Sequence, residues 1–152
     1  MSVAGYRFTG ISFGISDTYL NLGWFSWPLT ILWIVGIINA INLIDGVDGL
    51  SGSVSIIILL SYSLVYFYYG NTHAATLSLL LVAAILGFLV FNFPAPQAKI
   101  FMGDTGSQFL GFFIALIPLM ETPSLGYSRI SLPYAAALTL IPIFDTFAAI
   151  WR

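Results

Sequence analysis

The stretch PLTILWIVGIINAINLIDGVDGLSG, residues 28–52, is an apolar run whose end contains amides, carboxylates and glycines. Asn39, Asn42, Asp45 and Asp48 recur every three residues. Side chains at this spacing are neighbours on a helix surface, and the glycines predict that the helix ends near Asp45. An aspartate at the centre of a membrane helix costs roughly 2.5–3.5 kcal/mol. The pattern therefore predicts a membrane helix whose acidic end serves a function at the water interface, with a polar helix cap among the lipid headgroups as the alternative.

The composition supports a membrane protein. Hydrophobic residues make up 59% of the 152 residues, and charged residues make up 7%. The mean hydropathy is +1.00, whereas a soluble domain has about a quarter of its residues charged. Backbone polar groups in lipid must be satisfied internally, so we expect an all-α integral membrane protein. A net charge of −2 with four basic residues argues against nucleic-acid binding, and the absence of cysteine excludes disulfides and thiolate metal sites.

A spanning helix needs about 20 mainly apolar residues. By this measure the sequence predicts a polytopic bundle of about five transmembrane helices, near residues 27–44, 53–69, 74–93, 107–120 and 133–151. Residues 1–26 form a weaker lead-in rich in Gly and Ser, and no linker divides the chain. We therefore interpret residues 1–152 as a single membrane domain.

Counting the predicted spans brings several charges to one membrane face. Two spans separate the loop at 45–52 from the loop at 94–107, and two more lead to the end of the fifth span. These three places therefore share a face. The charged residues expected there are Asp45, Asp48, Lys99, Asp104 and Arg152, with Asp145 about two turns inside the fifth span. The opposite face would hold His73, Glu121 and Arg129.

The second acidic loop lies in FNFPAPQAKIFMGDTGSQFLGF, residues 91–112. Thr105 and Ser107 are candidate N-caps for the helix that follows. Two acidic loops on a face without Cys or His suit a hard cation with oxygen ligands, and magnesium is the usual choice. Lys99 would supply a counter-charge for phosphate, and Phe101 a flat surface for a base. Together these features favour a site for a nucleotide and its metal.

Other motifs in the sequence have weaker support. The triplet DTG at residues 104–106 occurs in aspartic proteases, but the second Asp-Thr pair, at Asp145, lacks the glycine. The sequence DGVDG lacks the alternating ligands and terminal Glu of a calcium loop. His73 is interpreted as a solvated loop residue.

With these motifs identified, the sequence resembles the polyprenyl-phosphate N-acetylhexosamine-1-phosphate transferases, integral membrane enzymes of glycosyltransferase family 4. The resemblance covers roughly residues 27–152 and rests on the two stretches above and on PIFDTFAAIWR, residues 142–152. The sequence is more similar to the UDP-N-acetylglucosamine branch than to the muramoyl-pentapeptide branch, which usually has Thr at the position of Ile44.

The resemblance implies transfer of N-acetylglucosamine-1-phosphate, or a related aminosugar-1-phosphate, from a UDP-sugar to undecaprenyl phosphate. UMP would be released at the cytoplasmic face of a bacterial plasma membrane. The reaction would begin cell-wall or surface-polysaccharide synthesis, such as that of lipopolysaccharide or teichoic acid. The implied cofactor is magnesium, or manganese in its place. The implied partners are UDP-N-acetylhexosamine, undecaprenyl phosphate, the bilayer and a second copy in a homodimer.

The family's functional residues fall on matching positions of this sequence. The metal ligands would be Asn42 and Asp104. The catalytic carboxylates would be Asp45, Asp48 and Asp104. The substrate-binding residues would be Leu43, Gly46, Asp48, Lys99 and Phe101, with Asp48 and the backbone near Leu43 and Gly46 at the uracil and Phe101 stacked on it. Asp145 belongs to the family's DT signature and receives no role.

Two features of the family lie outside the sequence: earlier spans with an adjacent pair of aspartates, and a later cytoplasmic loop with His and Arg. We therefore expect a middle-to-late portion of a transferase that is inactive alone. The alternative is a membrane protein that binds magnesium and UDP-sugar without turnover, and a more distant one is an ion-conducting bundle. Magnesium-dependent binding of UMP would separate the nucleotide hypotheses from conduction.

Overall fold

A computed structural model describes residues 6–8, 10–12, 19–93, 98–120 and 132–151. A short hairpin pairs strand β1 (Gly10–Ser12) with strand β2 (Tyr19–Asn21). Six α-helices follow in these ranges, and they are α1 (Ser26–Ile44), α2 (Leu50–Tyr68), α3 (Thr72–Asn92), α4 (Gly103–Leu116), α5 (Leu132–Leu138) and α6 (Leu140–Trp151). The described chain is thus almost entirely helical.

Three of the described helices are long and apolar enough to cross a membrane. They are α1 together with the 3-10 turn before it (Gly23–Ile44), α2 and α3, at 22, 19 and 21 residues. This confirms a polytopic, helical membrane protein. The count of five spans and the single domain stay predictions.

The helix α4 has 14 residues and ends before Pro118. Proline has no N–H to donate to the preceding turn, so the chain continues as a 3-10 turn, Ile117–Leu119. Side chains from two other helices satisfy carbonyls at this end. Trp33 Nε1 donates to the Ala115 carbonyl at 3.0 Å, and the Tyr66 hydroxyl lies 2.7 Å from the Ile117 carbonyl. These contacts connect α1 and α2 to the end of α4.

The predicted span at 133–151 is two helices, with a turn at Thr139 between α5 and α6. Pro142 explains the break, because it cannot donate a hydrogen bond to the Leu138 carbonyl four residues earlier. Hydrogen bonds on either side remain: Thr139 N–H donates to Ala135 at 3.0 Å, and Ile143 N–H donates to Thr139 at 3.1 Å.

The lead-in packs on α1. Phe8 is buried, its ring meets Trp33 edge-on at a centroid distance of 5.7 Å, and its N–H donates to Thr30 Oγ1 at 3.1 Å. In the hairpin Gly10 pairs with Asn21. The hairpin and the N-terminus of α1 therefore lie at the same end of the bundle.

The helix α1 packs against α4 and α6, while α2 packs mainly against α3. Buried positions of α1 recur every three or four residues, as expected for a helix with one face in a protein core, and they include Thr30, Trp33, Ile37, Ala40, Ile41 and Ile44. The helices α1 and α4 approach closely at Gly111 of α4, where an added Cβ would lie 2.8 Å from the Ile38 Cα of α1. Only glycine permits this separation, which brings the acidic end of α1 beside the start of α4.

Candidate functional site

The two acidic stretches are in direct contact. Near the end of α1, Asn42 Nδ2 donates to Asp104 Oδ1 at 3.2 Å and to Ser107 Oγ at 2.7 Å. Asp104 is exposed in the first turn of α4, where the positive end of the helix dipole favours a carboxylate. The hydrogen bonds therefore join residues 62 and 65 positions apart at one end of the bundle, as the count of spans predicts.

The predicted N-cap roles of Thr105 and Ser107 are wrong. The helix α4 begins at Gly103, its N-cap is Met102, and no side chain caps it. Thr105 and Ser107 therefore lie inside the helix. Ser107 Oγ lies 3.1 Å from the Gly103 carbonyl and 3.2 Å from the Asp104 carbonyl. Because its hydrogen points to the backbone, the Ser107 oxygen can accept the amide hydrogen of Asn42.

Asp45 is fixed by the helix that follows it. It is the C-cap of α1, and Ser51 Oγ in the first turn of α2 donates to its carboxylate oxygen Oδ1. Ser51 is buried and Asp45 is half-buried. The serine thus orients the carboxylate near the N-terminus of α2, where the helix dipole stabilises negative charge.

Asn92, the last residue of α3, connects both loops of the site. Its Oδ1 accepts the N–H of Gly49 at 2.8 Å, and its Nδ2 donates to the Ile100 carbonyl at 2.8 Å. Gly49 is the N-cap of α2 and has φ +75°, a backbone conformation that residues other than glycine rarely adopt. A Cβ there would also lie 2.0 Å from the Phe93 ring. The turn after Asp45 is therefore held by the end of α3.

The remaining predicted substrate residues lie around this end of the bundle and are accessible to solvent. Gly46, Asp48 and Lys99 are exposed, Leu43 is 49% exposed and Phe101 75% exposed. The backbone N–H of Lys99 donates to the Phe91 carbonyl at 2.8 Å, which holds its loop at the end of α3. The Phe101 ring is free to stack on a planar ligand.

The donor set suits a cation that needs few protein ligands. Within the described residues, no group of three or more His, Cys, Asp or Glu side chains could hold a metal. Asn42 uses its Nδ2 in hydrogen bonds to Asp104 and Ser107, which leaves the carbonyl oxygen of the same amide available as a cation ligand. Magnesium takes one or two such oxygens and fills its octahedron with water and phosphate oxygens. The residues therefore fit magnesium with a bound diphosphate better than a metal held by protein ligands alone.

Other charged residues from the sequence lie apart from this contact or outside the described residues. Asp145 is exposed on α6, which packs on α1. His73 is exposed, as predicted, but it lies in the first turn of α3 and not in a loop. Glu121, Arg129 and Arg152 lie outside the described residues.

Sequence reasoning missed the supporting residues. Asn92 is a buried amide in an otherwise apolar helix, and such a residue usually has an obligatory hydrogen-bond partner. That signal could have identified it. Ser51 gives no comparable signal, because serine near a helix start is common.

A family profile and several known proteins match most of the chain. Residues 1–122 match the profile of glycosyl transferase family 4, so the match includes the lead-in, which the sequence resemblance left out. A probable undecaprenyl-phosphate N-acetylglucosaminyl 1-phosphate transferase of Bacillus subtilis is 47% identical over 132 residues, covering 87% of this chain and 36% of the relative.

Relatives from a second branch match at similar levels. A phospho-N-acetylmuramoyl-pentapeptide-transferase of Clostridium botulinum is 43% identical, covering 79% of this chain and 38% of the relative. One of Listeria innocua is 41% identical, covering 69% of this chain and 32% of the relative. The chain thus spans between about a third and two fifths of the length of these relatives.

Proposed function

Because the chain belongs to glycosyl transferase family 4, we propose that it forms part of the active site of a polyprenyl-phosphate aminosugar-1-phosphate transferase. The proposed reaction transfers N-acetylglucosamine-1-phosphate from its UDP-sugar to undecaprenyl phosphate and releases UMP. The name of the Bacillus subtilis relative supports undecaprenyl phosphate as the acceptor and N-acetylglucosamine-1-phosphate as the transferred group. The name of the Clostridium botulinum relative supports an N-acetylmuramoyl-pentapeptide substrate for that protein, so the choice of sugar rests on the slightly higher identity of the first.

The hydrogen-bonded contact of Asn42 with Asp104 and Ser107 is the observation that carries the proposal. It places the Asn42 amide and the Asp104 carboxylate side by side at the end of a membrane helix. Such a pair suits a diphosphate with bound magnesium, because the cation compensates the negative charge of the Asp104 carboxylate and that of the diphosphate. The proposed metal ligands are therefore Asn42 and Asp104.

Attack of one phosphate on another is opposed by repulsion between their charges. A bound magnesium ion would stabilise the charge that develops on the UMP leaving group. The chain's own residues orient the reactants. Asp45, fixed by Ser51, lines the acidic side of the site, and Lys99 offers a positive charge to a phosphate oxygen.

The nucleoside would lie against the loops that follow α1 and α3. Asp48 and the backbone near Leu43 and Gly46 would bind the uracil, whose edge has both donors and acceptors, while Phe101 would stack on its face. The hydrogen bonds of Asn92 to Gly49 and Ile100 fix the spacing of these two loops. In this arrangement Asn92 is a positioning residue.

The location of the contact suits reactants of opposite solubility. Asn42 lies in the last turn of a helix long enough to span a bilayer, and Asp104 in the first turn of the next helix of the site. A lipid phosphate can reach this level from the membrane, and a UDP-sugar can reach it from water. We propose that this end faces the cytoplasm of a bacterium.

The first test is binding of UMP by the chain in lipid nanodiscs, measured by isothermal titration calorimetry with magnesium and with EDTA. We expect binding in magnesium only, and its loss in Asp104→Asn. Asp145→Asn removes the same charge from an exposed position of α6 and should bind as the parent does. Equal binding by Asp104→Asn and the parent would remove Asp104 from the metal site.

Turnover is measured separately as UMP release from UDP-N-acetylglucosamine in the presence of undecaprenyl phosphate. Release that requires magnesium supports the transferase. Magnesium-dependent binding without release fits both a portion of a transferase that is inactive alone and the alternative of a nucleotide-binding membrane protein. Ion flux through liposomes without UMP binding would instead support a conducting bundle.

A further inference from the structure

A second candidate site lies at the other end of α1. A cavity of about 720 Å³ opens between the hairpin and the start of this helix, and its lining includes Arg7, Asn21, Gly23, Trp24, Ser26 and Trp27. Ser26 and Asn42 are 16 residues apart on α1, which corresponds to about 24 Å at 1.5 Å per residue. The cavity is therefore near the membrane face opposite to the proposed active site, and the proposed function does not use it.

The charge of this cavity is positive. Among the described residues that line it, Arg7 is the one charged side chain. Its guanidinium lies over the Trp27 ring, 5.2 Å from the ring centroid, and this cation–π contact holds the charge at the cavity wall. The N-terminal end of the 3-10 turn and α1 adds the positive end of a helix dipole. The lining therefore favours an anion.

A buried hydroxyl in the lining has no hydrogen-bond partner within the described residues. Ser26 is 2% exposed and lines the cavity, yet its Oγ makes no hydrogen bond. A buried hydroxyl without a partner is unusual, because burial removes it from water without compensation. A ligand with an acceptor oxygen would satisfy it. The neighbouring Asn21 uses its Oδ1 to accept the Gly23 N–H at 3.0 Å, so its amide group still offers hydrogens to such a ligand.

Trp24 and Trp27 line the cavity, and Phe25 lies between them in the sequence. Trp24 is 95% exposed, Phe25 is 75% exposed and Trp27 is 46% exposed. Tryptophan is enriched at the level of lipid headgroups, where its ring is apolar and its N–H reaches water. Because these rings lie at one end of a helix that can span the bilayer, they place the cavity at headgroup depth.

We propose that this cavity binds the phosphate group of an anionic phospholipid, with Arg7 as its counter-ion and Ser26 Oγ as a hydrogen-bond donor. A guanidinium and a hydroxyl together suit a phosphate, whose oxygens accept hydrogen bonds from both. The same chemistry would bind a soluble phosphomonoester from the water on that side. The lipid is the occupant that the aromatic rim favours.

The test counts bound lipids by native mass spectrometry of the chain in detergent, titrated with phosphatidylglycerol. We expect Arg7→Gln to weaken binding roughly tenfold, since it removes a charge-assisted hydrogen bond. Ser26→Ala should weaken it severalfold without lowering thermal stability, because it removes a hydroxyl that has no hydrogen-bond partner among the described residues. Arg152→Gln removes one positive charge from a residue with no proposed role in binding and serves as the matched control.

A parallel titration with methyl phosphate distinguishes the two sources of phosphate. Lipid binding that falls in Arg7→Gln and persists in Arg152→Gln supports the phospholipid site. Binding of methyl phosphate alone, with the same dependence on Arg7, supports the phosphate site and assigns it to a soluble ligand. If Arg7→Gln binds both probes as the parent does, or if Arg152→Gln loses lipid equally, the proposal is overturned. Equal UMP binding by Asp104→Asn and the parent would overturn the proposed metal site but leave this result unaffected, so the two proposals fail independently.

Discussion

The backbone N–H of Gly49 donates a hydrogen bond to Asn92 Oδ1 over 2.8 Å, which ties the turn after α1 to the last residue of α3. The side-chain Nδ2 of Asn92 donates a second hydrogen bond, to the Ile100 carbonyl. One buried side chain thus sets the separation of the two loops that contain Asp48 and Phe101. The relationship connects helix packing within the bundle to the geometry proposed for the nucleotide.

Asn92→Asp tests this positioning role. A carboxylate still accepts from the Gly49 N–H but cannot donate to the Ile100 carbonyl, so one buried bond is replaced by repulsion between two acceptors. We expect magnesium-dependent UMP affinity to fall about tenfold, measured by calorimetry. Asn39→Asp changes an exposed amide on α1 that bonds only to the Val35 carbonyl and should have a much smaller effect.

Asn92→Ala removes both hydrogen bonds and should destabilise the fold by about 1–3 kcal/mol, since it leaves buried backbone groups unsatisfied. Circular dichroism during denaturation distinguishes this loss from the Asn92→Asp effect. Parent-like UMP affinity in a folded Asn92→Asp protein would contradict the positioning role.

Ser107→Ala tests the orientation of Asn42. Without the Ser107 hydroxyl, the Asn42 amide keeps only its longer bond to Asp104 and can rotate away from the metal position. We expect weaker magnesium dependence of UMP binding, with a severalfold increase in the magnesium concentration needed for half-maximal affinity. Ser78→Ala is the matched control, because Ser78 is equally buried and bonds only to the Ala74 carbonyl of its own helix. An unchanged magnesium requirement in Ser107→Ala would show that the hydroxyl does not orient the ligand.

The helices were largely predictable from the sequence, because apolar runs of membrane length leave few alternatives. The proximity of the two acidic loops was predictable too, since it follows from the number of crossings between them. The start of α4 was not predictable, because Thr105 and Ser107 are residue types that often cap helices. In the structure both lie inside the helix, and Ser107 accepts a hydrogen bond from Asn42. The break at Thr139 was not predicted either, although Pro142 provided a signal for it.

The supporting hydrogen bonds of the site could not be predicted. Ser51 and Asp45 are close in sequence, but their contact depends on the turn at Gly49, which in turn depends on Asn92 from a helix that follows later. Long-range contacts of this kind are set by helix packing, and periodicity within one helix does not specify them.

Tyr66→Phe tests how the end of α4 is stabilised. The Tyr66 hydroxyl lies 2.7 Å from the Ile117 carbonyl, and its removal leaves a buried carbonyl with one partner fewer. We expect a loss of about 1–3 kcal/mol in the free energy of unfolding, measured by denaturant titration in mixed micelles. Tyr62→Phe, one turn earlier, removes a buried hydroxyl that makes no hydrogen bond within the described residues and should be neutral or stabilising. Equal losses in both variants would show that the hydrogen bond to the Ile117 carbonyl does not account for the loss in Tyr66→Phe, since both variants keep the aromatic ring.

Gly111→Ala connects packing with function. Its Cβ would lie 2.8 Å from the Ile38 Cα and 3.3 Å from the Ile37 carbonyl oxygen, and neither backbone atom can move without displacing α1. The added methyl group should cost about 1–3 kcal/mol in stability. Because α1 and α4 also hold Asn42 and Asp104, their separation should weaken magnesium-dependent UMP binding in the folded fraction.

Gly87→Ala adds the same group to α3 where no atom lies within 4 Å, so it should keep UMP affinity and gain up to about 1 kcal/mol from helix propensity. Thermal unfolding and calorimetry on both variants decide the matter, since parent-like stability in Gly111→Ala would mean that α1 and α4 are farther apart than the structure places them.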